Sequence, residues 1–346
     1  MRHLVMVMLL ISILVIPVRG LDYTAPSAPD SAEELMPAEI ESFGEGLWQV
    51  VSAAIAKMQP SIVNACRTCI CLIAVVLLVG IVQGISDRNK GVIELVAALG
   101  IAGILLYETG SLIQLSAETV TELSEYGKML LPVMTAALAA QGGAATSAAL
   151  YSGTAAFNAL LCSAVSGVLI PVCYCYLVLG VANGAIGNEI LKKLKDFVKW
   201  LATWFLKIVL YAFTGYMGIT GVVSGTTDAA ALKVTKMAIS GMVPVVGGLM
   251  ADASESVLVS ARVLKNAAGV YGIIALLAVW ISPFLNIGTQ YLLLKGTGAL
   301  CASFGSKHPA GLIQDFSTVM GLLLAMTGVE CLLLLISTVC FMKGVG

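Results

Sequence analysis

The chain has 346 residues, 59% hydrophobic and 11% charged, with a mean hydropathy of +0.97 and a formal net charge of -1. Soluble domains carry about 25% charged residues, so this composition excludes a soluble domain and describes a polytopic membrane protein. The near-neutral balance offers no global attraction to nucleic acid or an anionic surface.

Residues 1–20 read as a signal peptide. Arg2 and His3 form a short charged start, and Leu4 to Val18 is apolar, interrupted by Pro17. The cleavage region around Val18-Arg19-Gly20 lacks a small-x-small pattern, and an uncleaved first span is the alternative. Residues 21–67 follow as an extracytoplasmic segment. From Asp22 to Gly46 it carries seven acidic residues and no Lys or Arg. Pro26, Pro29 and Pro37 prevent one long helix there, which predicts an exposed, partly disordered arm. Leu47, Val50, Val51, Ala54 and Ile55 then fall at helical spacing and predict an amphipathic surface helix.

Residues 68–346 form the membrane domain. Its predicted spans are Cys69–Ile85, Gly91–Leu112, Thr154–Ala182 (bent at Pro171), Leu201–Val223, Gly269–Leu294 and Phe316–Met342. Asp87 to Lys90 make a charged turn. Glu118, Glu122 and Glu125 share one polar helical face. Gly187 to Trp200 is a basic amphipathic helix with Lys192, Lys193, Lys195 and Lys199, anchored by Trp200 and Trp204 at the interface.

Two apolar pieces do not fit this scheme. Met237 to Ala251 is uncharged but only about 22 Å long as helix, too short for a bilayer core of about 30 Å. Pro244 and Gly247-Gly248 break it. Met129–Leu150 is similar, with Pro132 and Gly142-Gly143. Both read as re-entrant segments, because broken backbone at membrane depth needs cover from protein or a hydrated cavity. Pro132 and Pro244 are 112 residues apart, as are Pro171 and Pro283. The shared offset predicts a tandem internal repeat with units at about 91–182 and 201–294 and a final span at 316–342. The expected fold is therefore all-α and polytopic, with about six transmembrane helices and two re-entrant segments. If the broken pieces cross instead, each unit gains a span and the units are inverted.

Candidates for chemistry are sparse. Glu94 and Lys207 occupy corresponding positions in the repeat and read as intramembrane charges, either a structural ion pair, a snorkelling lysine or a functional pair. Glu330 sits mid-span in MTGVECLLLL, as a group on a hydrated path or a protonated hydrogen-bond donor. Glu108 reads as interfacial. Cys66, Cys69 and Cys71 lack the paired spacing or added His of a metal site. Phosphate-loop, dinucleotide, zinc-protease and Gly-x-Ser-x-Gly motifs are absent. The sequence points to no catalytic, metal or cofactor residue. Small residues recur at helical spacing at Gly80/Gly84, Gly180/Gly184 and Gly215/Gly218/Gly221/Gly225, for tight packing or a moving seam.

The order of features resembles the stage III sporulation protein AE family. The resemblance is carried by Leu131-Pro132-Val133, the basic LKDFVKW stretch at Leu194–Trp200, and above all AISGMVPVVGGLMADASESVL with KNAAGVYG at Lys265–Gly272. It implies a multi-pass subunit of the apparatus joining mother cell and forespore, in the mother-cell membrane around the forespore, supporting forespore development and late forespore-specific transcription. The implied partners are other membrane proteins of the same complex, an insertase of the YidC/Oxa1 type, and membrane lipid. The resemblance supplies no catalytic residues. A stand-alone permease for a small solute and, more weakly, an intramembrane enzyme are the competing readings.

Overall fold

The computed structural model describes residues 26–37, 42–85, 90–242, 247–304 and 307–343, without the side chains of 90, 221–265 and 307. The signal peptide, the turn at Asp87–Asn89 and Pro244 lie outside the described residues. Those described are predominantly helical, without strands. In chain order the helices are α1 (Asp30–Glu33), α2 (Phe43–Lys57), α3 (Gln59–Ile85), α4 (Lys90–Ala140), α5 (Ala144–Ala164), α6 (Ile170–Ile186), α7 (Glu189–Met242), α8 (Gly247–Ser303) and α9 (Lys307–Lys343). A π-helical turn, Val165–Leu169, joins α5 to α6.

Among the described residues, six helical stretches are long and apolar enough to cross a membrane. Each overlaps one of the six predicted spans, and most extend well beyond it. The chain is an all-α multi-pass membrane protein. α9 is its axis: it packs on α8, α4, α6, α7 and α5. Its apolar stretch is 61% buried, against 22% in α3.

Several local expectations change. The acidic helix at Glu118–Glu125 is no separate element, because α4 runs unbroken for 51 residues with Pro132 inside it. At 1.5 Å per residue that is about 76 Å, more than twice the bilayer core, so part of α4 stands outside the membrane. The basic helix at Lys192–Lys199 is likewise the first part of α7. In both places good helix formers bridge the polarity change, and nothing stops the helix.

The broken piece at Met129–Leu150 is the tip of a hairpin between α4 and α5. The chain reverses at Gln141–Gly143, where Gly142 has φ 91, a conformation open to glycine and costly for residues with a Cβ. The second broken piece falls where α7 ends at Met242 and α8 begins at Gly247, and residues 243–246 lie outside the described residues. The helix boundaries do not keep one offset: α4 and α7 start at 90 and 189, whereas α6 and α8 end at 186 and 303. The bend expected at Pro171 is a π-helical turn just before it. Proline lacks an N–H and its ring crowds the carbonyl four residues back, and the wider turn accommodates both.

The acidic arm is ordered at residues 26–37. Ala32 and Leu35 enter the core, at 0% and 5% exposure. The Ser31 hydroxyl donates to Glu122 at 2.6 Å, and Lys57 pairs with Glu34. Composition could not reveal this, because two small apolar anchors suffice once α4 and α8 supply a surface. α2 begins as a capping motif, with the Ser42 hydroxyl accepting from the Glu45 amide.

Candidate functional site

One group of polar side chains lies where α4, α6, α7 and α9 meet. α6 runs antiparallel to α9, and its glycines set the approach. A Cβ on Gly180 would lie 3.1 Å from Asp315, one on Gly184 would touch Leu312 and Ala98, and one on Gly187 would touch His308. The spacing 180, 184, 187 is one helical face. Gly187 also ends α6 in the left-handed conformation, φ 67. The missing side chains let α9 lie close, with Asp315 beneath α6.

Asp315 is enclosed by two partners. Lys195 Nζ of α7 lies 2.7 Å from both of its oxygens. The Tyr176 hydroxyl, one turn before Gly180, donates to Oδ1 at 3.2 Å. The Lys195 ammonium also lies 5.9 Å from the Tyr176 ring centre. Both charged side chains are 10% exposed. Such a pair costs much desolvation and holds only when geometry and extra hydrogen bonds are good, as they are here. The arrangement clamps α6, α7 and α9 together. It has no nucleophile–base geometry, and among the described residues no cluster could hold a metal.

Sequence reasoning did not single out Asp315, and placed Lys195 only on a basic face. A signal was present. Asp315 begins an apolar run in α9 with no cation nearby in sequence, while Lys195 sits on α7 between the apolar residues Leu194 and Phe197. Their separation of 120 residues hid the pairing.

The three predicted intramembrane charges part company. Glu94 of α4 does not meet Lys207. Its Oε2 is 2.9 Å from Nδ1 of His308 at the start of α9, while Lys207 is exposed on the outer face of α7. The repeat register would have aligned α4 with α7, but α6 and α9 lie against α4 at this end. Glu330 is fully buried, at 0% exposure, in the middle of α9. Neither of its oxygens has a hydrogen-bond partner among the described residues. One turn later, Leu334 presses on Gly127 beside Asn158, and Ser337 hydrogen-bonds Thr154. Glu330 therefore faces the α4–α5 hairpin.

The packing candidates also divide. Pro132 lies within α4, Gly142 makes the tip turn and Gly143 caps α5. Gly247 and Gly248 open α8, with side-chain surroundings outside the described residues, as is Pro244. Among the small-residue rows, Gly180 and Gly184 are packed, whereas Gly84, Gly215 and Gly218 touch nothing.

A family model described as stage III sporulation protein AE matches residues 36–344. The stage III sporulation protein AE of Bacillus subtilis (strain 168) is 23% identical over 197 residues, which cover 56% of this chain and 48% of that protein. The matched part thus spans about half the length of that relative. No solved structure matches the chain.

Proposed function

The chain belongs to the stage III sporulation protein AE family, and from that premise we propose that it is a membrane subunit of the complex joining mother cell and forespore. In this reading it lies in the mother-cell membrane around the forespore. It supports forespore development and the late forespore-specific sigma factor after engulfment. Its partners are other membrane proteins of the same complex and an insertase of the YidC/Oxa1 type.

The observation that carries the proposal is the family match across residues 36–344, which takes in the amphipathic helix α2 and all six candidate spans. The polar groups fit a structural subunit: Lys195, Asp315, Glu94 and His308 hold helices together. The test is affinity purification of the tagged full chain from sporulating cells, in mild detergent. Co-purification of a fixed set of membrane proteins, with loss of spores on deletion, supports the subunit. A chain that purifies alone and restores uptake of a solute to vesicles favours the permease.

A further inference from the structure

Away from the ion-pair clamp, α3, α4 and α8 line an open pocket of about 490 Å³. This lies within the range of small-ligand pockets. Its mixed lining carries polar side chains from all three helices: Arg67 and Thr68, just before the predicted Cys69–Ile85 span of α3, Glu108, near the end of the predicted Gly91–Leu112 span of α4, and Asn286 and Gln290 from α8. A carboxylate at the edge of a span points to function where no cation pairs with it.

Glu108 is held but not neutralised. The Thr68 hydroxyl donates to Oε1 at 2.7 Å, and the Gln290 amide donates to Oε2 at 3.1 Å. Both donors are uncharged. Arg67 adjoins Thr68 in sequence, lines the same cavity and is exposed. The ion pairs of the described residues include none between Arg67 and Glu108. One turn before Gln290, the buried Asn286 Oδ1 has no partner among the described residues, an acceptor on the same helix face. The cavity thus holds two opposite charges apart, with a spare acceptor.

We infer that this cavity binds a zwitterionic primary amine, its ammonium at Glu108 and Asn286 and its acidic group at Arg67. A simple cation leaves Arg67 unmatched, and a simple anion leaves Glu108 unmatched. Two sources carry the required chemistry: a free α-amino acid, and the headgroup of phosphatidylethanolamine entering from the bilayer. The inference rests on the cavity and is independent of the assembly proposed above.

The test is thermal unfolding of the purified full chain in detergent with millimolar probes. These are a mixture of neutral L-α-amino acids, a short-chain phosphatidylethanolamine, its phosphatidylcholine counterpart, ethylamine and propionate. Binding to the folded state raises the midpoint, by several degrees for a well-occupied site. The expected result is a rise with one of the two primary-amine zwitterions and none with ethylamine, propionate or the choline lipid. A rise with the amino acids identifies the free solute, and a rise with the ethanolamine lipid identifies the headgroup. Glu108→Gln and Arg67→Gln each abolish it. Arg67 is exposed, so Arg67→Gln keeps the fold and decides the matter if Glu108→Gln does not fold. No rise with either zwitterion, an equal rise with a singly charged probe, or a rise retained in Arg67→Gln overturns the inference.

Discussion

Lys195 Nζ sits 2.7 Å from each carboxylate oxygen of Asp315, across 120 residues of chain, and this contact fixes α7 against α9. Both groups are largely withdrawn from solvent. Removing one partner leaves the other charge buried alone, which costs about 3–5 kcal/mol. Asp315→Asn is expected to lower the unfolding midpoint of the purified protein sharply. The double change Lys195→Met with Asp315→Leu recovers most of the loss, since an apolar pair carries no desolvation cost. A double variant no better than Asp315→Asn would show that the pair does more than join helices.

The seam between α5 and α7 gives a second prediction. A Cβ on Gly153 would lie 1.9 Å from Cε1 of Tyr216, whose hydroxyl donates to the Ala149 carbonyl at 2.9 Å. Gly153→Ala must displace the ring and lose that bond, at about 1–3 kcal/mol. Gly167 meets nothing within 4 Å, so Gly167→Ala is the control and leaves the midpoint close to the parent's. Thermal unfolding of both variants checks this, and equal midpoints would contradict the packing.

Glu330 gives a prediction of opposite sign. A buried polar group without a partner costs about 1–3 kcal/mol. Glu330 is fully buried with both oxygens unpartnered among the described residues. Glu330→Leu is therefore expected to raise the unfolding midpoint, and Glu330→Gln to change it little. A lower midpoint for the Leu variant would mean that the carboxyl is satisfied in the folded protein. Spore counts then separate roles: a stabilised Leu variant that forms few spores makes the carboxyl functional.

The arm should loosen in acid. Lys57 holds the Glu34 carboxyl below its ordinary value, first through the hydrogen bond and then through its charge. A lowered folded-state value stabilises fully above the unfolded value of about 4.3 and is lost as pH falls through the folded one. The pair is exposed, so the effect is small. Hydrogen exchange at residues 30–36, corrected for intrinsic rates, should rise below about pH 4 in the parent. In Glu34→Gln it should be flat across that range. The same acid response in both would remove the pair from arm docking.

Six membrane helices were legible in the sequence because each is a long apolar run, and transfer into lipid depends on local hydropathy and length. The family was legible too, by resemblance, and the family model matches residues 36–344. Helix ends were read less well. α4 and α7 continue through charged stretches that resembled separate surface helices, because a helix stops only where a breaker or a cap stops it. Gly142-Gly143 is such a breaker and was legible as one; Pro132, eight residues before the end of α4, did not stop its helix.

The tertiary structure alone decided which charges meet. Glu94 pairs with His308 and not Lys207, Asp315 finds Lys195, and Glu108 reaches Thr68 and Gln290 on two other helices. Each contact joins residues 40 to 214 positions apart. Hydropathy sets which segments enter the membrane, but carries no term for which face of one helix meets which face of another. That choice is made by side-chain shape, by missing Cβ atoms such as those of Gly180 and Gly184, and by the need to neutralise a charge once it is buried.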